Sequence, residues 1–270
     1  MVDIIDNLMR DSETIARAAG DLIMGMRQQN RRISFKSARD MVTEVDQASE
    51  AYIVGEIQNR YPMHAILAEE GSGYGKQGAA YRWIIDPLDG TTNFVHGFPI
   101  FAVSIGVEYE GELIAGAVHN PIMDECFVAG KGKGAFLNGE IIHVSSTSTL
   151  ADSILATGFP YINDDYFDQN MDIWTTIYGK TQGLRRAGAA AIDLVWVACG
   201  RLDGYWEFSL KPWDMAAGAL IVREAGGVVT GPRGETLDLD SGNLIAANPE
   251  LYRPLLDELG DVMEKRDSKS

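Results

Sequence analysis

Thiols and imidazoles are scarce in this chain: two cysteines and four histidines stand among 270 residues. Cys126 and Cys199 lie far apart and outside any CxxC pattern, which argues against a thiolate zinc site and a disulfide framework and for a reducing compartment. His64, His96, His119 and His143 are scattered and read as surface or turn residues. No apolar run approaches the roughly 20 residues of a membrane span. Asp3, Asp6 and Asp11 interrupt the opening segment where a secretory leader needs an apolar stretch. The expectation is a cytoplasmic chain without membrane contact. Basic charge is also in deficit, with 23 Lys and Arg against 39 Asp and Glu and a formal net charge of −16. That balance removes the basic footprint that nucleic-acid binding requires. The chain holds neither GxxxxGK[ST] nor GxSxG, so a P-loop and the commonest hydrolase nucleophile are both missing. Gly73-x-Gly75-x-x-Gly78 matches a dinucleotide fingerprint as text, yet the next predicted strand follows too soon for the helix that fingerprint needs.

What the chain has instead is carboxylates placed where predicted elements end. Trp83-Ile84-Ile85 reads as a short buried strand that stops at Asp86 and Asp89, with Pro87 turning the chain between them. Gly90 permits a tight backbone, and Thr91 and Thr92 are placed to cap a short helix starting near Asn93. Hard carboxylate oxygens beside free helix-start amides suit a divalent cation and a phosphate held together. An Asp-Gly turn followed by an ordinary cap is the alternative that needs no ligand.

Three further acidic segments share this character. Asp40-Met-Val-Thr-Glu-Val-Asp46 opens a predicted helix, where Thr43 and Asp46 also suit a capping box. Glu69-Glu70 follows an apolar strand at 65–68, a pairing that repels itself unless a cation or solvent intervenes. Lys211-Pro-Trp-Asp214 opens an apolar helix, which Asp214 can cap. Acids converging at element ends, with few histidines and no thiolate cluster, point to a hard ion such as Mg²⁺. A bound cation would also reverse the local field that otherwise repels an anionic substrate.

Periodicity predicts helices over 4–29 and 44–60, with the polar segment 30–40 between them as a loop or hairpin. Apolar and alternating runs at 101–109, 112–119 and 124–129 predict an antiparallel meander, with hairpin turns at 130–134 and 138–139. Beyond residue 150 strand and helix alternate: 152–157, 168–179, 183–186, 189–199, 203–207, 214–225, 244–247 and 249–259. Residues 1–150 therefore read as an α+β metal-binding subdomain and 151–270 as an α/β subdomain completing the site. The tail 265–270 reads as frayed.

Asp86-Pro-Leu-Asp-Gly-Thr-Thr-Asn-Phe, together with Trp213-Asp-Met-Ala-Ala-Gly-Ala-Leu-Ile-Val-Arg-Glu-Ala-Gly-Gly, resembles the two signatures of the inositol monophosphatase family. Asp40-x-Val-Thr-x-x-Asp46 and Ala68-Glu69-Glu70 resemble its two further acidic segments in the same order. The resemblance implies a layered αβαβα sandwich and lithium-sensitive, Mg²⁺-dependent hydrolysis of a small-molecule phosphate monoester, in a homodimer. By motif position it implies metal binding by Glu69, Asp86, the Leu88 carbonyl, Asp89 and Asp214, with two to three ions per site. Thr91, paired with Asp46, would orient and help deprotonate the attacking water, with Glu69 also catalytic. The amides of Gly90 and Thr91 would hold the phosphate, while Asp89, Gly188, Ala189, Ala190 and Glu207 would contact the inositol. Ala189 stands where a hydroxyl residue is usual, and Lys36 lies in the loop where the family carries a lysine. Relatives acting on fructose 1,6-bisphosphate, NADP⁺, histidinol phosphate or a 3′-phosphoadenosine compound, and a regulatory binding protein on the same scaffold, are the alternatives.

Overall fold

Three apolar clusters divide the molecule into layers. A computed structural model describes residues 4–27, 33–35, 41–71, 73, 75, 78–160 and 165–268, without the side chains of 33–35, 41–43, 165 and 267. Lys36 and Asp40 lie outside the described residues.

The outer helical layer holds α1 (Ile4–Met26) and α2 (Glu44–Arg60). The buried face of α1 carries Leu8, Ser12, Ile15, Ala19 and Ile23, spaced three or four apart as one helical stripe requires, with Ala16 beside Ile15. Between the helices, β1 (Ile33–Phe35) and β2 (Met41–Thr43) pair antiparallel, the second of the two forms, loop or hairpin, expected of 30–40, with β2 just beyond that segment.

Under α1 and α2 lies a sheet of β3 (Ala65–Ala68), β4 (Tyr81–Asp89), β5 (Ala102–Tyr109), β6 (Glu112–Asn120), β7 (Glu125–Gly130), β8 (Gly134–Leu137) and β9 (Glu140–Ile141) in that order. β3 and β4 are parallel; the remaining neighbours are antiparallel, as the meander predicted. Leu8, Ile15, Ile53, Trp83, Phe94 and Phe101 belong to the cluster between this sheet and α1–α2.

On the opposite face sit α5 (Ala190–Ala198) and α6 (Pro212–Glu224), both nearly apolar all round, as helices enclosed between two sheets must be. Their cluster joins Ile84 and Val118 of the first sheet to Tyr205 and Leu244 of the second. That second sheet has the order β11 (Gly183–Arg185), β10 (Ile154–Thr157), β12 (Gly204–Glu207), β14 (Leu244–Ala247), β13 (Val228–Thr230). A final cluster packs it against α4 (Asp165–Tyr178) and α7 (Pro249–Asp267). The result is the αβαβα sandwich, with α3 (Thr91–His96) at its rim.

Two local expectations change. The tail is helical through Asp267, and Arg266 pairs with Asp172 of α4 at 2.5 Å, tying down a segment read as frayed. β13, three residues long and directly after Gly226-Gly227, is too short to register as a periodic pattern and is defined by its partner β14.

Candidate active site

The central segment departs from its sequence reading in an informative way. Pro87 does not turn the chain out of the sheet; β4 continues to Asp89. Asp86 faces Ser104 and Asp89 faces Ala102, so Pro87 and Leu88 together oppose a single residue of β5. This is a β-bulge, which admits a residue without an N–H and bends the strand locally. In a regular strand, residues three apart point to opposite faces. The bulge resets that alternation, and Asp86 and Asp89 both line one cavity of about 520 Å³.

α3 starts at Thr91, earlier than expected, and its N-cap is Gly90 at φ 85°, with no side chain capping it. The threonine hydroxyl serves elsewhere. Thr91 Oγ1 donates to Asp46 Oδ1 at 2.8 Å and lies 3.1 Å from the Leu88 carbonyl. Asp46 is wholly buried and stands behind Thr91 rather than in the cavity wall.

The cavity wall gathers Glu69, Asp86, Leu88, Asp89, Gly90, Thr91, Gly188, Ala189, Ala190, Glu207 and Asp214 from both halves of the chain. Glu69 follows the end of β3. Asp214 does cap α6, its Oδ2 accepting the Lys211 amide at 2.7 Å, so cap and cavity position coexist. Gly188, at φ 85°, leads through Ala189 into α5, whose Ala191 amide donates to Asp89 Oδ2 at 2.8 Å. Asn93 Nδ2 reaches the carbonyls of Ile100 and Ala187 at 2.6 and 2.8 Å, clamping α3 to the approach to α5. Glu207 ends β12 and accepts the Tyr205 hydroxyl.

Sequence reasoning did not find Gly158, Phe159, Phe208 and Lys211, which also line the cavity. A Cβ at 158 would collide with both carboxylate oxygens of Glu207, so glycine there makes room for that side chain. The break after the apolar run ending at Thr157 was the available signal.

Electrostatically the site is under strain. Burial, then the charges of Glu69, Asp89 and Asp214, raises the Asp86 carboxyl well above the usual range. Burial pushes Asp89 up to about 7 against the Ala191 hydrogen bond, with Glu207 adding repulsion. Asp214 rises to about 8 through burial and then Asp89. Glu207 rises to about 7 through burial, opposed by the Tyr205 hydrogen bond and Arg186. Carboxylates that disfavour their own charge together are the environment a cation relieves.

Among the described residues the donor set of the cavity wall consists of oxygens, with no imidazole or thiolate, which fits Mg²⁺ rather than Zn²⁺. In the present side-chain arrangement no group of three or more acids among the described residues closes on one point as a metal site. Asp86, Asp89 and Asp214 each give one oxygen to a backbone amide instead. The chemistry fits a hard cation; the present rotamers satisfy the protein.

A model of the inositol monophosphatase family matches residues 6–264. Nus factor SuhB of Pseudomonas aeruginosa is 47% identical over 248 residues, covering 89% of this chain and 91% of that protein. Inositol-1-monophosphatase of Synechocystis is 48% identical over 218 residues, covering 81% of this chain and 76% of that protein. The crystal structure of extragenic suppressor protein suhB from Bartonella henselae superposes with a TM-score of 0.90 at 39% identity, covering 95% of this chain and 98% of that one.

Proposed function

The chain belongs to the inositol monophosphatase family, and on that premise we propose that it is a Mg²⁺-dependent phosphomonoesterase hydrolysing an inositol monophosphate to inositol and phosphate. The observation that carries the reading is the convergence of Glu69, Asp86, Asp89 and Asp214 on one cavity beside the Thr91–Asp46 pair. Glu69, Asp86, the Leu88 carbonyl, Asp89 and Asp214 would hold two to three Mg²⁺. Bound there, Mg²⁺ supplies countercharge to the phosphoryl oxygens and lowers the pKa of water.

The remaining work falls to the protein. Asp46 Oδ1 is the nearer of the two acceptors of the Thr91 hydroxyl, ahead of the Leu88 carbonyl, and with the proton on Asp46 an Oγ1 lone pair would be available to the attacking water. Water would give its proton to Thr91 Oγ1 as Thr91 passes its own to Asp46 Oδ1, with Glu69 as a second acceptor beside the water. The water oxygen bonds to phosphorus as the ester P–O bond breaks, and the departing inositol oxygen takes a proton from solvent. The first amides of α3 have no intrahelical partner and are free for phosphate oxygens; Gly90, in the left-handed region, shapes that turn. Asp89 and Glu207 would accept hydrogen bonds from the sugar hydroxyls, with Gly188, Ala189 and Ala190 against the ring. A methyl at 189 offers no hydroxyl contact there.

This reading carries with it a homodimer, a cytoplasmic location and inhibition by millimolar lithium. Among the described residues no helix is long and apolar enough to cross a membrane. Phosphate release from a panel of phosphomonoesters, with and without Mg²⁺ and Li⁺, tests it. Preference for fructose 1,6-bisphosphate, NADP⁺, histidinol phosphate or a 3′-phosphoadenosine compound would move the chain within the family. A second reading, a regulatory binding protein on this scaffold, draws on the relative named a Nus factor and on the acidic surface. Failure to release phosphate from any ester would favour it.

A further inference from the structure

Beside the site one backbone ladder stops and its neighbour is interrupted at the same level. The last pair of β3 with β4 is Ala68 with Ile85, one residue before Glu69 and one before Asp86. The β4–β5 register slips from Asp86 onward. β3 is also an edge strand, with β4 as its neighbour in the sheet. The Glu69 segment therefore leaves sheet pairing at the level where the bulge interrupts β4, so Pro87 and Leu88, between the paired Asp86 and Asp89, are not fixed against Glu69 by sheet hydrogen bonds.

One face of α2 takes over at that point. Ser49 Oγ donates to the Pro87 carbonyl in the bulge at 2.9 Å. Glu50 Oε2 accepts the Glu70 amide at 2.8 Å. Asp46, one turn earlier, accepts Thr91. Residues spaced by three and four lie on the same helix face, and the face continues as Ile53 and Ile57 into the apolar cluster under α2. Ser49 is fully buried and Glu50 is 4% exposed. Burying a hydroxyl and a carboxylate there costs free energy that these hydrogen bonds offset.

We propose that Ser49 and Glu50 are positioning residues for the metal-binding acids: with Asp46 they make the first turns of α2 a rigid bracket that holds the Glu69 segment, the β4 bulge and Thr91 in register. The inference rests on the metal-dependent reading above. Neither residue is part of the cavity wall. Each acts through the backbone next to a ligand, as outer-shell partners of metal sites do, and loss of such partners weakens metal binding or activity about 10–100-fold.

The test uses the full chain as S49A, E50A and E50Q, with Mn²⁺ binding followed by the electron paramagnetic resonance signal of the free ion. The Mg²⁺ dependence of phosphate release and the melting temperature of the metal-stripped protein accompany it. In S49A and E50A the Mn²⁺ dissociation constant and the Mg²⁺ midpoint should rise about 10–100-fold, with turnover at saturating Mg²⁺ largely kept. E50Q retains an oxygen that can accept the Glu70 amide and should recover most of the affinity. Mn²⁺ binding equal to wild type in S49A and E50A overturns the proposal. So does a fall in melting temperature and turnover together without a shift in either metal constant, since that is a structural role alone. If E50A does not fold, S49A and E50D, which withdraws the acceptor by one methylene, supply the same comparison. A wild-type chain that neither binds Mn²⁺ nor needs Mg²⁺ overturns the metal-dependent reading itself, and the bracket with it.

Discussion

Thr91 Oγ1 donates its hydrogen bond to Asp46 Oδ1 at 2.8 Å, joining the start of α3 to the first turn of α2. A threonine at a helix start is ordinarily a cap, yet this hydroxyl caps nothing and Gly90 occupies the N-cap. The hydroxyl's nearer acceptor is a buried carboxylate at 2.8 Å, with the Leu88 carbonyl at 3.1 Å, and in the proposed relay it passes its proton to that carboxylate and takes one from water. Thr91→Val should therefore lower kcat about 10²–10⁴-fold, the usual contribution of a positioned base, and Thr91→Ser should recover most of it. Equal turnover for wild type and Thr91→Val would remove the proton relay.

Asp89 joins the two ends of the site, accepting the Ala191 amide at 2.8 Å while lining the cavity with Asp86. Asp89→Asn keeps an acceptor for that amide and loses the charge. Turnover should fall by several orders of magnitude with an unchanged circular-dichroism spectrum. Normal phosphate release by this variant would exclude the cation-binding role assigned to the residue.

Gly158 and Glu207 give a more selective test. An added methyl at 158 would meet the Glu207 carboxylate, the movable end of a side chain rather than backbone. Gly158→Ala should displace Glu207 and raise KM for an inositol phosphate, with a smaller effect on KM for a phosphomonoester lacking vicinal hydroxyls. Parallel changes on both substrates would show that Glu207 does not read the sugar.

The stripped protein should be least stable where its acids ionise. Asp89 and Glu207 are raised to about 7 and Asp214 to about 8, chiefly by burial, against roughly 4 for the unfolded chain. Between those limits the folded state binds more protons than the unfolded state, so stability falls as pH rises from about 4 through about 8. Melting temperatures of metal-free protein should decline across that window, and Mg²⁺ should flatten the decline. A flat profile without metal would show that burial in the folded state does not raise these carboxyls.

Much of this protein was legible along the chain. The helix at 44–60 and the strands at 65–68 and 244–247 fall where periodicity and terminators predicted, because hydrophobic spacing and stop residues act within a few positions. The meander was legible for the same reason, and so were the four acidic segments, since each marks the end of an element. What no local pattern could express was the bulge at Pro87, because it depends on how β4 pairs with β5. That slip turns Asp86 and Asp89 toward one cavity when simple alternation would have separated them. Nor could spacing reveal that Thr91 bonds Asp46 across 45 residues, that Glu50 supports Glu70, or that Gly158 leaves room for Glu207. Amino-acid order determined which carboxylates stand where elements begin and end, through charge and local conformational preference. Only the tertiary structure decided their common address, because packing two sheets around α5 and α6 brings remote strand ends together and buries them where water no longer screens their charges.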